Sequence, residues 1–175
     1  MFVHVTRDDG GNVLDIDTLH QMDEHLAFVK GEEISQQNFV QSWITAPSLL
    51  QTALDEEAGG IELSEVTSWQ QMIELVIDIN ETDCPGDVSK QREVAQFVLD
   101  GMLNVDFDGT EICLYIQSDG EQGSAAMVSS STLWILEIDP NLSSEDRKVK
   151  QDQLRDIFAE LSKDSDLDYG VASLD

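Results

Sequence analysis

Residues 133–161 read LWILEIDPNLSSEDRKVKQDQLRDIFAEL, and the fold class turns on them. Residues 133–138 form a run of strand length, aliphatic or aromatic at every position but Glu137. Pro140 stops the run, and Ser143 or Ser144 stands where a helix needs its N-cap. Leu154, Ile157, Phe158 and Leu161 then recur at helical spacing as a buried stripe. Strand-like runs precede this stretch at residues 105–107, 110–116 and 126–130, the first two joined by Asp108-Gly109, a favoured hairpin turn. With 133–138 they predict a small antiparallel meander. Ser129-Ser130-Ser131-Thr132 lies between apolar residues and reads as a strand edge or loop rather than a linker.

Upstream the pattern is mostly helical. Leu19, Met22, Leu26 and Val29 predict a helix with Asp17 or Thr18 as N-cap and Gly31 as terminator. Ser35 can cap a second helix through Phe39, Val40, Trp43 and Ile44. Pro47 fits the first turn of a third, with Leu49, Leu50, Ala53 and Leu54 on its apolar face and Gly59-Gly60 ending it. A short extended piece at 61–63 follows, then helices through Trp69, Met72, Ile73 and Val76 and through Val94, Phe97, Val98 and Met102, separated by a break at Pro85-Gly86. At the N-terminus, residues 2–6 and 13–16 flank Asp8-Asp9-Gly10-Gly11-Asn12 and read as a β-hairpin. Central helices between strands near both ends, with no βαβ alternation, predict an α+β fold with helices packed on a small antiparallel sheet. A length of 175 residues with 41% hydrophobic content supports one core, so residues 1–163 are expected to form one domain and 164–175 an acidic, frayed tail.

Charge is the strongest functional signal. The chain has 36 Asp and Glu against 9 Lys and Arg, a formal net charge of -27. No lysine or arginine occurs in residues 31–89 or in 93–146, while five cations (Arg147, Lys148, Lys150, Arg155 and Lys163) gather in the last 35 residues. Direct nucleic-acid binding is excluded as an expectation, because it relies on cations that neutralise phosphates, and an anionic membrane surface is excluded by the same sign. No segment approaches the length of apolar chain a membrane span requires, and the opening MFVHVTRDDGG lacks the basic and apolar regions of a signal peptide. The expected location is cytoplasmic.

The chemistry-bearing motifs are weak. Asn104-Val105-Asp106-Phe107-Asp108-Gly109 begins like a calcium loop, but Tyr115 stands where a bidentate Glu is needed and strand-like residues follow. Asp164, Asp166 and Asp168 alternate similarly, with Tyr169 in place of the required glycine. His4, His20 and His25 lack zinc spacing. Cys84 and Cys113 lie in no redox, metal or nucleophile motif and read as inert thiols. There is no phosphate-binding glycine loop and no nucleophile elbow. Trp43, Trp69 and Trp134 sit within apolar periodicity and read as core, with Trp43 the one expected to be partly covered. The chain is therefore expected to be no enzyme, with no metal and no cofactor.

Three readings account for the acidity. In the first, the protein binds a basic protein and inhibits or sequesters it by imitating nucleic acid, as an anti-restriction or anti-defence inhibitor does. Spread evenly, the net charge gives roughly 300 Å² per charge, against about 110 Å² on a DNA rod, so mimicry requires a cluster. Asp55, Glu56, Glu57, Glu62 and Glu65 surround Gly59-Gly60 with no intervening base, and are the candidate partner-binding residues. In the second, the chain is an acidic chaperone or immunity protein for a secreted effector or toxin, which calls for an apolar patch beside the acidic face. In the third, acidity is salt adaptation unrelated to function, which the low lysine count fits and the Ile, Gln, Ser and Cys content opposes.

Overall fold

The computed structural model describes residues 1–32, 39–76 and 129–172. In chain order the elements are β1 (Phe2–Arg7), α1 (Ile16–Gly31), β2 (Val40–Ile44), α2 (Ala46–Glu57), a 3-10 turn (Leu63–Glu65), α3 (Trp69–Val76), β3 (Ser131–Ile138), α4 (Ser144–Lys163) and β4 (Leu167–Ala172). The four strands form one antiparallel sheet in the order β2-β3-β1-β4. With the helices packed on it, the fold is α+β.

Strand alternation sets the buried face. Val3 pairs with both Trp134 and Val171, and Val5 with both Thr132 and Tyr169. Because paired residues share a face, Val3, Val5, Thr132, Trp134, Leu136, Leu167 and Tyr169 line one side of the sheet, and all are buried. The apolar stripes of the helices close over them with Leu19, Met22, Leu26 and Val29 from α1, Leu50 and Leu54 from α2, Trp69 and Met72 from α3, and Leu154 and Phe158 from α4. Trp134, Phe158 and Tyr169 form an aromatic centre, with ring centroids 5.4 to 5.9 Å apart. Such pairs contribute about 0.5–1.5 kcal/mol each beyond the area they bury.

Four expectations are corrected. Residues 13–16 are not a hairpin strand: Val13 and Leu14 are buried in a turn, and α1 already starts at Ile16 after the N-cap Asp15. The loop is held elsewhere, since Asn12 Oδ1 accepts from the backbone N–H of both Leu14 and Ser129, and Val13 N–H donates to Ser129 O. β1 consequently pairs with β3 and β4, far away in sequence.

Residues 40–44 form strand β2 against β3 instead of continuing a helix from Ser35. A register irregularity between Val40 and Ser42 interrupts the simple alternation and disguised the strand. The tail is ordered from residue 167 as β4, in which buried Leu167 and Tyr169 alternate with exposed Asp168 and Gly170. β3 lies between β1 and β2, not at the end of a meander. The expected strands at 105–107 and 110–116, the helix through Val94, the calcium-like loop at Asn104 and both cysteines lie outside the described residues.

Other boundaries follow the sequence. Thr45 Oγ1 accepts from Ser48 N–H while Ser48 Oγ accepts from Thr45 N–H, a reciprocal cap that starts α2 with Pro47 in its first turn. Ser143 caps α4. Trp69 is buried with its indole N–H donating to Leu14 O at 2.7 Å, and Trp43 is half-buried against the core.

Candidate functional site

Asp55, Glu56 and Glu57 make up the last turn of α2, and Glu62 is the N-cap and Glu65 the last residue of the 3-10 turn that follows. All five are exposed. The chain reverses between them through Gly59 and Gly60 at φ +69° and +83°, in the left-handed region that glycine enters without a Cβ clash. Ala58 N–H and Gly60 N–H both return to Leu54 O, at 2.9 and 3.3 Å, closing the helix end.

Gln51 organises the group, and sequence reasoning gave it no role. Its amide nitrogen donates to Asp55 Oδ1 at 2.9 Å and to Ile61 O at 3.1 Å, while its carbonyl accepts from Leu63 N–H at 2.8 Å. One side chain thus fastens the segment bearing Glu62 to the helix bearing Asp55. Glu62 and Glu65 in turn cap each other's backbone N–H groups, so both carboxylates are oriented by the main chain. A glutamine at i, i+4 helical spacing to Asp55 was the available signal.

The electrostatics are uncompensated. A helix C-terminus carries partial negative charge, and placing carboxylates there costs a few tenths of a kcal/mol each at an exposed site. α2 has no basic residue in its last turn. Among the described residues the ion pairs are Arg7–Asp9, Arg155–Asp152 and Lys163–Glu160, none involving the five. None of the five is neutralised by an ion pair among the described residues, although Asp55, Glu62 and Glu65 accept local hydrogen bonds.

The histidines are held individually. His20 Nε2 lies 3.0 Å from Leu63 O and joins α1 to the 3-10 turn. His25 Nδ1 lies 2.7 Å from Tyr169 Oη, where burial pushes the imidazole pKa down and the phenol pKa up. Among the described residues, no three His, Cys, Asp or Glu side chains are grouped as a metal would need. An open cavity of about 500 Å³ lies beside β3 and the start of α4, with Gln41, Glu137, Arg147 and Gln151 as its polar walls. Arg147 there donates from Nη2 to Pro140 O at 3.3 Å.

No helix among the described residues is long and apolar enough to cross a membrane. No protein-family model matches the chain, and comparison with curated proteins and with solved structures finds no match.

Proposed function

We propose that this chain is a non-enzymatic acidic protein of the cytoplasm that inhibits or sequesters a basic protein by occupying the surface its partner uses for nucleic acid. The observation that carries the reading is the group Asp55, Glu56, Glu57, Glu62 and Glu65, exposed, in none of the ion pairs among the described residues, and braced by Gln51. Five carboxylates within eleven residues supply the local density that even spreading of the net charge lacks. A cationic groove would relieve two costs of the free protein together, the mutual repulsion of the carboxylates and their clash with the helix dipole. Bracing matters because a pre-formed anionic surface loses little conformational freedom on binding.

The reading is tested by affinity capture from the native host at low and high salt. One dominant basic protein should be retained at about 50 mM salt and released as exposed ion pairs are screened near 500 mM. In a gel shift the chain alone should leave DNA and RNA unmoved, yet displace either from the captured protein. Direct micromolar binding to DNA at physiological salt contradicts the proposal, because the cations from Arg147 to Lys150 would then be a nucleic-acid contact.

A further inference from the structure

The cavity of about 500 Å³ beside β3 and the start of α4 has the size of a small-molecule site, and three elements turn polar side chains into it. On α4 the core-facing stripe of Leu154 and Phe158 continues toward the N-terminal end as Gln151 and Arg147. These two stand at i and i+4 on one face of the helix, are half-buried, and line the cavity. Polar side chains thus occupy the positions at which the rest of α4 buries apolar ones. On β2 the lining residue is Gln41. Val40 pairs with Ile138 and Ser42 with Glu137, so Gln41 is the extra residue of a bulge, a device that re-aims a strand's side chain. From β3 comes the exposed Glu137.

Arg147 and Glu137 carry opposite charges on the walls of one cavity without meeting. The ion pairs among the described residues are those of Arg7, Arg155 and Lys163, and none includes either side chain. Arg147 Nη2 reaches Pro140 O at 3.3 Å, while its Nε is buried with no hydrogen-bond partner among the described residues. A guanidinium has five donors, and this one is poorly supplied in a chain with 36 acidic residues. A carboxylate inside the cavity would give its Nη groups the charge-assisted partner that Glu137 does not provide.

We infer that this cavity binds a small zwitterion, an α-amino acid with an apolar side chain, with its carboxylate on Arg147 and its ammonium on Glu137. Gln41 and Gln151 can donate to the first group and accept from the second. Leu136, Ile138 and Pro140 supply apolar surface for the side chain. Charge decides against simpler ligands. An anion is repelled by a molecule of net charge -27 and meets Glu137 inside the cavity, whereas a cation meets Arg147. A zwitterion has no net charge and satisfies both walls at once. The site is separate from the acidic group at the end of α2, with which it shares no residue, and stands or falls independently of the proposed function.

The test is calorimetric titration of the full chain with L-leucine, isocaproate and isoamylamine, which present one skeleton with both charges, with the carboxylate alone and with the ammonium alone. L-leucine should bind at millimolar concentration or below, and each single-charge analogue about tenfold more weakly, because each lacks one charge-assisted contact. Glu137→Gln should weaken leucine about tenfold and leave isocaproate bound at least as tightly as before. Arg147→Gln should weaken leucine to a similar degree and leave isoamylamine at least as tight. Melting curves check that both variants fold, since Arg147 also holds Pro140 O, and Glu137→Gln at its exposed position carries the test if Arg147→Gln does not. Absence of saturable leucine binding at millimolar concentration overturns the site. Isocaproate binding as tightly as leucine, with no effect of Glu137→Gln, overturns the zwitterion as its ligand.

Discussion

Gln51 accepts a 2.8 Å hydrogen bond from the backbone N–H of Leu63, twelve residues further along the chain, and this bond fixes the acidic loop against α2. Gln51→Ala should therefore loosen the loop without changing any charge. Leaving the Leu63 N–H without its partner should cost about 1–2 kcal/mol of stability. Hydrogen exchange should speed up locally at residues 61–65, and affinity for a basic partner should fall because ordering then accompanies binding. Unchanged exchange at Leu63 would show that the loop holds itself in place.

The His25–Tyr169 contact makes stability depend on pH in a defined direction. Burial lowers the His25 pKa below the ordinary imidazole value of 6.5, with Glu24 acting in the opposite sense, so the unfolded chain binds the proton more readily. The contribution is fully present above pH 6.5, and stability is lost as pH falls through that value toward the lower folded pKa. Urea midpoints at pH 7.5 and 5.5 should differ in that sense, and His25→Gln should flatten the difference. A His25→Gln protein with the same pH profile as the parent would remove His25 as the cause.

Thr132 Oγ1 is buried on the core face of β3 with no hydrogen-bond partner among the described residues. Thr132→Val keeps the shape and removes the unpaired hydroxyl, so it should be neutral or stabilise the fold by up to about 1 kcal/mol in urea denaturation. Destabilisation beyond about 1 kcal/mol would reveal a partner for the hydroxyl, such as a buried water.

Salt should raise the melting temperature. With 36 acidic residues against 9 basic ones, folding concentrates like charge, and screening shortens its reach to about 8 Å at physiological ionic strength. A midpoint that falls between about 0.05 and 0.5 M NaCl would mean that the ion pairs of Arg7, Arg155 and Lys163 outweigh the repulsion.

Much of the fold is legible where side-chain pattern and punctuation agree. Ser143 and Pro140 announce α4, and Pro47 with Gly59-Gly60 bounds α2, because caps and breakers act within a few residues. β2 and β4 are harder to read for opposite reasons. Around Val40 a bulge breaks the alternation, and Phe39, Val40, Trp43 and Ile44 also satisfy helical spacing. In β4 the alternation of Leu167, Tyr169 and Val171 is present, but Asp164, Asp166 and Asp168 resemble a solvated tail until β1 supplies a partner strand. The pairing of β1 with β3 and β4 has no local signature at all. For the acidic group, the clustering of carboxylates can be read from the glycine turn, whereas the bracing by Gln51 depends on where a side chain points after the reversal.

The central claim is that the acidic group binds a partner. The direct measurement is calorimetric titration of the captured basic protein with the parent chain and with the triple variant Glu56→Gln, Glu57→Gln, Glu62→Gln, at about 0.1 M salt. The variant should be as stable as the parent or up to about 1 kcal/mol more stable, since it removes repulsion and a clash with the α2 dipole. Its affinity should drop by about 2–5 kcal/mol, most strongly at low salt. An affinity equal to the parent's would contradict the account, and the same result from charge removal elsewhere on the surface would leave adaptation to salt as the reason for the acidity.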